Sequence, residues 1–267
     1  MNELALFAGA GGGILGGHLL GWRTVCAVER DAYAAQVLAQ RQNDGALPAF
    51  PIWSDVCSFD GGPWRGLVDV VSGGFPCQDI SAAGSGAGIT GRRSGLWVEM
   101  ARIISEVCPR FVFVENSPLL VGRGLVTVIG DLADMGYDAT WFRLSAADCG
   151  APHQRDRLWL LANPNSSREP QPARRQQDSW MGPQQCSEGM ADACGRRRGE
   201  QAQRQVQQQR RAEAISSGIA VDQEWPAEPG LGRVVDGMAH RLDRLKALGN
   251  GQVPRVAATA FSLLSGD

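Results

Sequence analysis

Over the first 162 residues, short apolar runs alternate with stretches whose apolar positions recur every three or four residues. The runs "LALF", "TVCAVE", "VDVVSGG", "RFVFVEN", "ATWFRL" and "RLWLLA" have the length and composition of buried strands. "DAYAAQVLAQRQ", "GLWVEMARIISEV" and "LVTVIGDLADMG" have helical spacing. Alternation of this kind predicts an α/β fold with a doubly wound, mostly parallel sheet. From 163 to 230 the pattern is lost: the chain turns polar and rich in Pro, Gln and Arg. After "LKALGNGQVP" an apolar helix, "RVAATAFSLLS", returns and must bury its face. The first part holds the only sizeable core. The expectation is therefore a large domain, 1–162 with 245–267, interrupted by a small, loop-rich domain at 163–244.

Charge adds to this picture. The net charge is −2 over 267 residues. Between Arg168 and Arg211, however, nine Arg stand against five acids, which makes that segment +4 and the remainder −6. A basic segment on an acidic body fits a part that faces a polyanion; a solvated insert fits the same charges. The seven cysteines are odd in number and lack CxxC spacing, which argues against a disulfide framework or a zinc site and fits a reducing cytoplasm. No metal is expected. "MNELALFAGAGGG" has no basic segment ahead of its apolar run, so it does not read as a signal peptide. No apolar run reaches the roughly 18 residues of a membrane span, so no membrane partner is expected.

The candidate chemistry lies at strand exits, where α/β enzymes place it. "LALFAGAGGG" is a strand followed by a glycine-rich turn and a helix start, a place where backbone N–H groups can meet a ligand. It lacks a strict GxGxxG, because Ile14 holds the sixth position from Gly9. Glu29 ends the next run, about 20 residues on, where an acid can accept from a ribose diol. Asp55 follows at the third exit and can accept from an adenine amino group. Either acid alone also fits a helix cap or a turn; three exits in series indicate a nucleoside ligand. At the fourth exit comes "GGFPCQ" with Cys77, then a Gly/Ser-rich loop carrying Arg92 and Arg93. Glu115 follows the fifth run. An acid there is desolvated, which raises its pKa and suits proton sharing. Arg155 and Arg157, at i and i+2 before "LWLL", should share one face; a pair of structural ion pairs is the other reading.

The series "FAGAGG", Glu29, Asp55, "GGFPCQ", "ENS", "RDR" and "GNGQVP", in that order, resembles the cytosine-C5 DNA methyltransferases. The resemblance covers nearly all of the chain outside 163–230, and "FPCQ" followed by "EN" is its specific part. It implies a Rossmann-like methyltransferase sheet with a small DNA-recognition domain, and S-adenosylmethionine as methyl donor. It makes Cys77 the nucleophile that adds to C6 of a flipped-out cytosine. Glu115 would hold N3 and the amino group, Arg157 the base O2, and Arg155 would orient Glu115 or a phosphate. Pro76 would shape the turn and Gln78 anchor the loop. Phe7, Gly9, Ala10, Gly11, Gly12, Glu29, Asp55 and the Asn250-Gly251 turn would line the cofactor pocket. Ser117 stands where the family has valine, and His153 where it has glutamine.

By the same resemblance the partner is double-stranded DNA and the protein a cytoplasmic monomer of a restriction-modification or phage system, with a companion restriction endonuclease left open. A tRNA cytosine-C5 enzyme is an alternative, but the Cys-Phe-Thr stretch of such enzymes is missing: Cys186 is followed by Ser-Glu and Cys194 by Gly-Arg. An inactive DNA-binding homologue predicts damage at Cys77, Glu115 or Arg157, and all three are intact. An unrelated nucleotide-dependent oxidoreductase would explain the glycine loop alone. Cys26, Cys57, Cys108 and Cys149 read as core or edge fillers. Trp22, Trp97, Trp141 and Trp159 read as core. His18 and His240 read as surface or capping groups. Trp180, Trp225 and the "RRR" at 196–198 are candidates for DNA contact.

Overall fold

The computed structural model describes residues 1–76, 95–165 and 241–266. Seven strands form one sheet: β1 (Asn2–Leu6), β2 (Arg23–Val28), β3 (Ile52–Trp53), β4 (Val70–Gly73), β5 (Phe111–Asn116), β6 (Tyr137–Ser145) and β7 (Asp156–Pro164). Their spatial order is β3-β2-β1-β4-β5-β7-β6. All pairs are parallel except those of β7, which is antiparallel to both β5 and β6. The doubly wound, mostly parallel sheet read from the alternation is therefore present. The short step from β6 to β7, with only a single 3-10 turn (Ala147–Cys149) between and no crossover α-helix, accounts for the antiparallel end.

Helices cover both faces. On one side lie α3 (Leu96–Val107) and α5 (Leu125–Asp134), with α4 (Leu120–Arg123) leading into the latter. The α3 residues Trp97, Met100, Ile103, Ile104 and Val107 form an i, i+3, i+4 stripe and are all buried. They pack with Leu4, Leu6, Val71, Val112, Val114 and Leu160, the alternate residues of four strands. On the other side lie α1 (Gly12–Leu19), α2 (Ala32–Asn43) and α7 (Pro254–Ser265), the last preceded by α6 (Arg241–Asn250). Val256, Ala257, Ala260 and Phe261 of α7 pack with Trp22, Phe113 and Trp159. The returning helix thus buries its face on the first part of the chain, as its apolar content requires. Pro254 opens it at a position where no N–H is needed.

Two expected boundaries differ in detail. β7 continues to Pro164, two residues beyond the reading "RLWLLA", because its pairing with β6 runs to Tyr137–Pro164. Glu115 lies inside β5 rather than beyond it. Most of the expected recognition domain, with Trp180, Trp225, His240 and "RRR", lies outside the described residues. Among the described residues no helix is long and apolar enough to cross a membrane. Trp22, Trp97 and Trp159 are buried and Trp141 is partly buried against the core, as expected. Cys26 is buried in the core, but Cys57 is exposed on the turn that follows Asp55 and fills nothing.

Candidate active site

The crossovers run outward in opposite directions from β1 and β4, so the sheet has its topological switch point between these two strands. Both strands end in small or left-handed residues. Beyond β1, Phe7, Gly9 and Gly11 have φ of 52°, 54° and 85°. Such a path suits glycine and strains Phe7, by about 1–3 kcal/mol for a non-glycine residue. A cleft of about 390 Å³, open to solvent, lies here, and it is lined by Phe7, Gly9, Gly74, Glu115 and the turn Asn250-Gly251-Gln252.

Of the residues assigned to a cofactor pocket, Phe7, Gly9 and Asn250 line this cleft. Glu29 reaches its edge: Oε2 accepts from the Gly9 N–H and Oε1 from the Asp31 N–H, both at 2.6 Å. Its carboxylate ties the glycine turn to the β2 exit, and each oxygen keeps a lone pair for a ligand hydroxyl. Asp55 accepts from the Cys57 N–H at 3.0 Å and caps the turn Val56–Ser58. That backbone N–H holds its carboxyl below the ordinary Asp value. Asp55 thus caps this turn, and it is not among the residues that line the cleft.

The glycines also have a packing use that the sequence did not show. Ala10, Gly11 and Gly12 do not line the cleft. A Cβ at Gly11 would meet the Leu38 side chain at 2.6 Å, and one at Gly12 would meet the backbone carbonyl oxygen of Gln252 at 2.1 Å. A Cβ at Gly13 would meet the Gln252 Oε1 at 2.4 Å. These glycines make room for α2 and for the segment entering α7, and Gly13 also lines the cleft. Gln252 was missed in the sequence, although it stands inside "GNGQVP".

At the β4 exit three contacts fix the turn before Cys77. Gly74 abuts Glu115, where a Cβ would lie 2.7 Å from Oε2. The Phe75 ring is buried and packs on Trp97 with centroids 5.3 Å apart. Trp97 in turn donates to Asp131 at 2.7 Å. Asn116 donates to the Phe75 carbonyl at 3.3 Å. The "EN" pair therefore serves two ends: Glu115 faces the cleft and Asn116 holds the neighbouring strand exit. Pro76 is partly buried at the end of this turn. Cys77, Gln78, Arg92 and Arg93 lie outside the described residues.

Glu115 is buried, and burial raises its pKa above the ordinary Glu value; the charges of Arg157 and Arg155, and hydrogen bonds from Gln252 and Arg157, oppose this rise. Register explains the main partner. Glu115 pairs with Trp159 across β5–β7, so Arg157, two residues before Trp159, lies on the same face. Its Nε stands 2.8 Å from Glu115 Oε1. Arg155 was expected to share this face and to orient Glu115 or a phosphate. It instead precedes β7 with φ 37°, outside the strand's alternation. Its guanidinium donates to the carbonyls of Gly249, at 2.9 Å, and Gly251. Burial and the nearby Arg157 charge lower its pKa from the ordinary Arg value. Arg155 thus anchors the α6–α7 turn, and Arg157 holds the acid.

This is a cleft at the switch point, with the Glu29 carboxylate beside the glycine turn and a buried Glu115 carboxyl, paired with Arg157, at the β4 exit. The family model described as C-5 cytosine-specific DNA methylase matches residues 1–222. The chain belongs to this family of DNA methylases. Among curated members it is 36% identical over 164 residues to the type II methyltransferase M.Eco47II of Escherichia coli, a match covering 60% of this chain and 38% of that protein. It is 34% identical over 163 residues to M.CviJI of Paramecium bursaria Chlorella virus IL3A, covering 60% of this chain and 42% of that protein. The chain thus spans about two fifths of the length of these relatives. A solved structure described as a DNA modification methyltransferase, encoded within a prophage of E. coli, superposes with a TM-score of 0.51 at 25% identity, covering 61% of this chain and 47% of that one. The fold of this methylase family member is therefore the Rossmann-like methyltransferase sheet.

Proposed function

We propose that this chain methylates C5 of cytosine in a specific site of duplex DNA, with S-adenosylmethionine as the donor. The observation that carries this reading is the shared cleft: the Phe7–Gly9 turn and Glu115, which Arg157 holds, line one space together with Gly74 at the β4 exit. A methyl donor and a reacting base can meet there. The donor fits the residues present. Glu29 offers carboxylate oxygens beside the Gly9 turn, and Phe7 and Asn250 line the adjoining wall. When bound, the donor supplies an electrophilic methyl group.

The protein's own groups do the rest. C5 of cytosine is a poor nucleophile, and thiolate addition at C6 makes it enamine-like. Cys77, directly after Pro76 in sequence, supplies that thiolate. An ordinary thiol is only slightly ionised at neutral pH, so nearby guanidinium charge assists. Glu115, whose pKa burial raises, shares a proton with N3 as charge develops on the ring. Arg157 fixes the orientation of Glu115 and offers its remaining N–H groups to the base O2. Loss of the C5 proton then expels Cys77 and restores the aromatic ring. C5 is out of reach within a duplex, so the base is flipped out, and the basic segment 168–211 belongs to the part that holds phosphates and reads the major groove. The chain acts as a monomer.

The test is to incubate purified protein with duplex DNA and methyl-labelled donor, then map 5-methylcytosine at base resolution. Label in one short recurrent context supports the reading. Label in tRNA alone, or none in any nucleic acid with the donor still bound, overturns it.

A further inference from the structure

We propose that Gln252 is a positioning residue for Glu115, joining the glycine turn to the acid through one side chain. This rests on the reading of Glu115 given above. Gln252 is wedged from both sides. Its backbone carbonyl fills the space that a Cβ at Gly12 would take, and its Oε1 fills that at Gly13. Its Nε2 lies 3.3 Å from where a Cβ at Gly74 would stand, a point only 2.7 Å from Glu115 Oε2. The amide donates to the Glu115 carboxyl group. Arg157 binds Oε1. The carboxyl is thus held from two sides, by β7 and by the segment entering α7.

Three glycines at two separate points of the chain, Gly12-Gly13 and Gly74, make room for this one glutamine. A glutamine held by backbone on one side and by an acid on the other has few rotamers left, so it cannot swing away as a surface amide would. The segment carrying it is itself pinned, because Arg155 binds the carbonyls of Gly249 and Gly251. Displacement of the Gly12–Gly13 turn therefore moves Gln252, and Gln252 moves Glu115. The charged groups facing Glu115 among the described residues are Arg157 and Arg155. Gln252 is the neutral donor set against them. It favours the ionised carboxyl, so its removal shifts Glu115 towards the protonated form.

The test uses full-length protein labelled with ¹³C at the glutamate side-chain carboxyl carbons. The Glu115 signal is the one lost in Glu115→Gln. Gln252→Met keeps the length and removes the amide; Gln252→Glu keeps the shape and adds an acid. Both are expected to raise the titration midpoint of Glu115, by about one pH unit for the loss of one good donor. Methylation in Gln252→Met should fall, with its alkaline limb moved to higher pH. An unmoved midpoint in both variants overturns the proposal, even if activity falls. If Gln252→Met does not fold, the Gln252→Glu midpoint decides. A moved midpoint in a protein that methylates no DNA upholds the positioning of Glu115 and overturns only the assigned reaction.

Discussion

The Nε of Arg157 sits 2.8 Å from Oε1 of Glu115, diagonally across the β5–β7 pairing. Glu115 is the more buried partner. Burial dominates its titration and holds its pKa up, while Arg157 pulls it down. A group with a raised folded pKa contributes most below its unfolded pKa, and that contribution is lost as pH rises through the folded value. Arg157→Ala removes the largest opposing charge and raises the folded pKa further. The melting temperatures of Arg157→Ala and the parent should therefore lie closest near pH 5 and diverge towards pH 8. Methylation should fall by about 100-fold or more, the usual cost of losing one preorganised charged donor. Parallel melting curves across pH would count against the pair.

Glu3 sets a second pH dependence, away from the cleft. It is fully buried on β1 and accepts from Ser72 Oγ at 2.6 Å and Thr24 Oγ1 at 2.8 Å. Burial raises its pKa more than these two bonds lower it. Its stabilising contribution is thus present below the unfolded Glu value and lost as pH rises. Glu3→Gln keeps an acceptor for the hydroxyls and cannot ionise. Denaturant unfolding should find the variant's stability relative to the parent improving steadily from pH 5 to pH 9. A constant difference would show that Glu3 does not titrate in this range.

Gly12→Ala tests why the turn needs glycine. The added Cβ would stand 2.1 Å from a backbone carbonyl oxygen, which no side-chain rotation can relieve. Overpacking of this kind costs about 1–3 kcal/mol. Thermal melting should show the loss without any ligand present, because the obstruction is internal. Gly9→Ala meets no atom within 4 Å but sits at φ 54°. It should cost about 1 kcal/mol, from backbone strain alone.

Glu29→Ala tests the nucleoside end. It removes the acceptor for the Gly9 and Asp31 N–H groups as well as the expected ligand contact. Titration calorimetry with the demethylated donor should show binding weakened by tenfold or more, which is about 1.4 kcal/mol. Asp55→Ala, in which a turn cap is lost, should reduce binding far less. Equal losses would restore Asp55 to the pocket.

Much of this was legible in the sequence because period and order carried it. The strand runs and the stripe over Trp97–Val107 locate the sheet and α3, since side-chain period is a local property. The chain order of Glu29, Gly74 and Glu115 marks strand ends that the fold brings to one side of the sheet. What sequence could not show is which neighbour each group chooses. Arg155 and Arg157 are two residues apart, yet only Arg157 lies within β7. The positive φ of Arg155 lies outside the alternation on which the shared-face expectation rested. Gly12 and Gly13 answer Gln252, nearly the whole chain away, and no local pattern carries that pairing. Asp55 was legible in kind, as a cap or a ligand, but its choice depended on the Cys57 N–H standing 3.0 Å away.

The nucleophile is tested most directly by trapping it. A duplex in which cytosine is replaced by 5-fluorocytosine carries no C5 proton to lose, so an adduct at C6 that has accepted the methyl group cannot be expelled. The protein is incubated with this DNA and the methyl donor, denatured and digested, and the peptide spanning residue 77 is weighed. The account predicts a DNA-linked peptide modified at Cys77, absent in Cys77→Ala and absent without donor. A linked peptide at any other cysteine, or efficient methylation of ordinary DNA by Cys77→Ala, would contradict it.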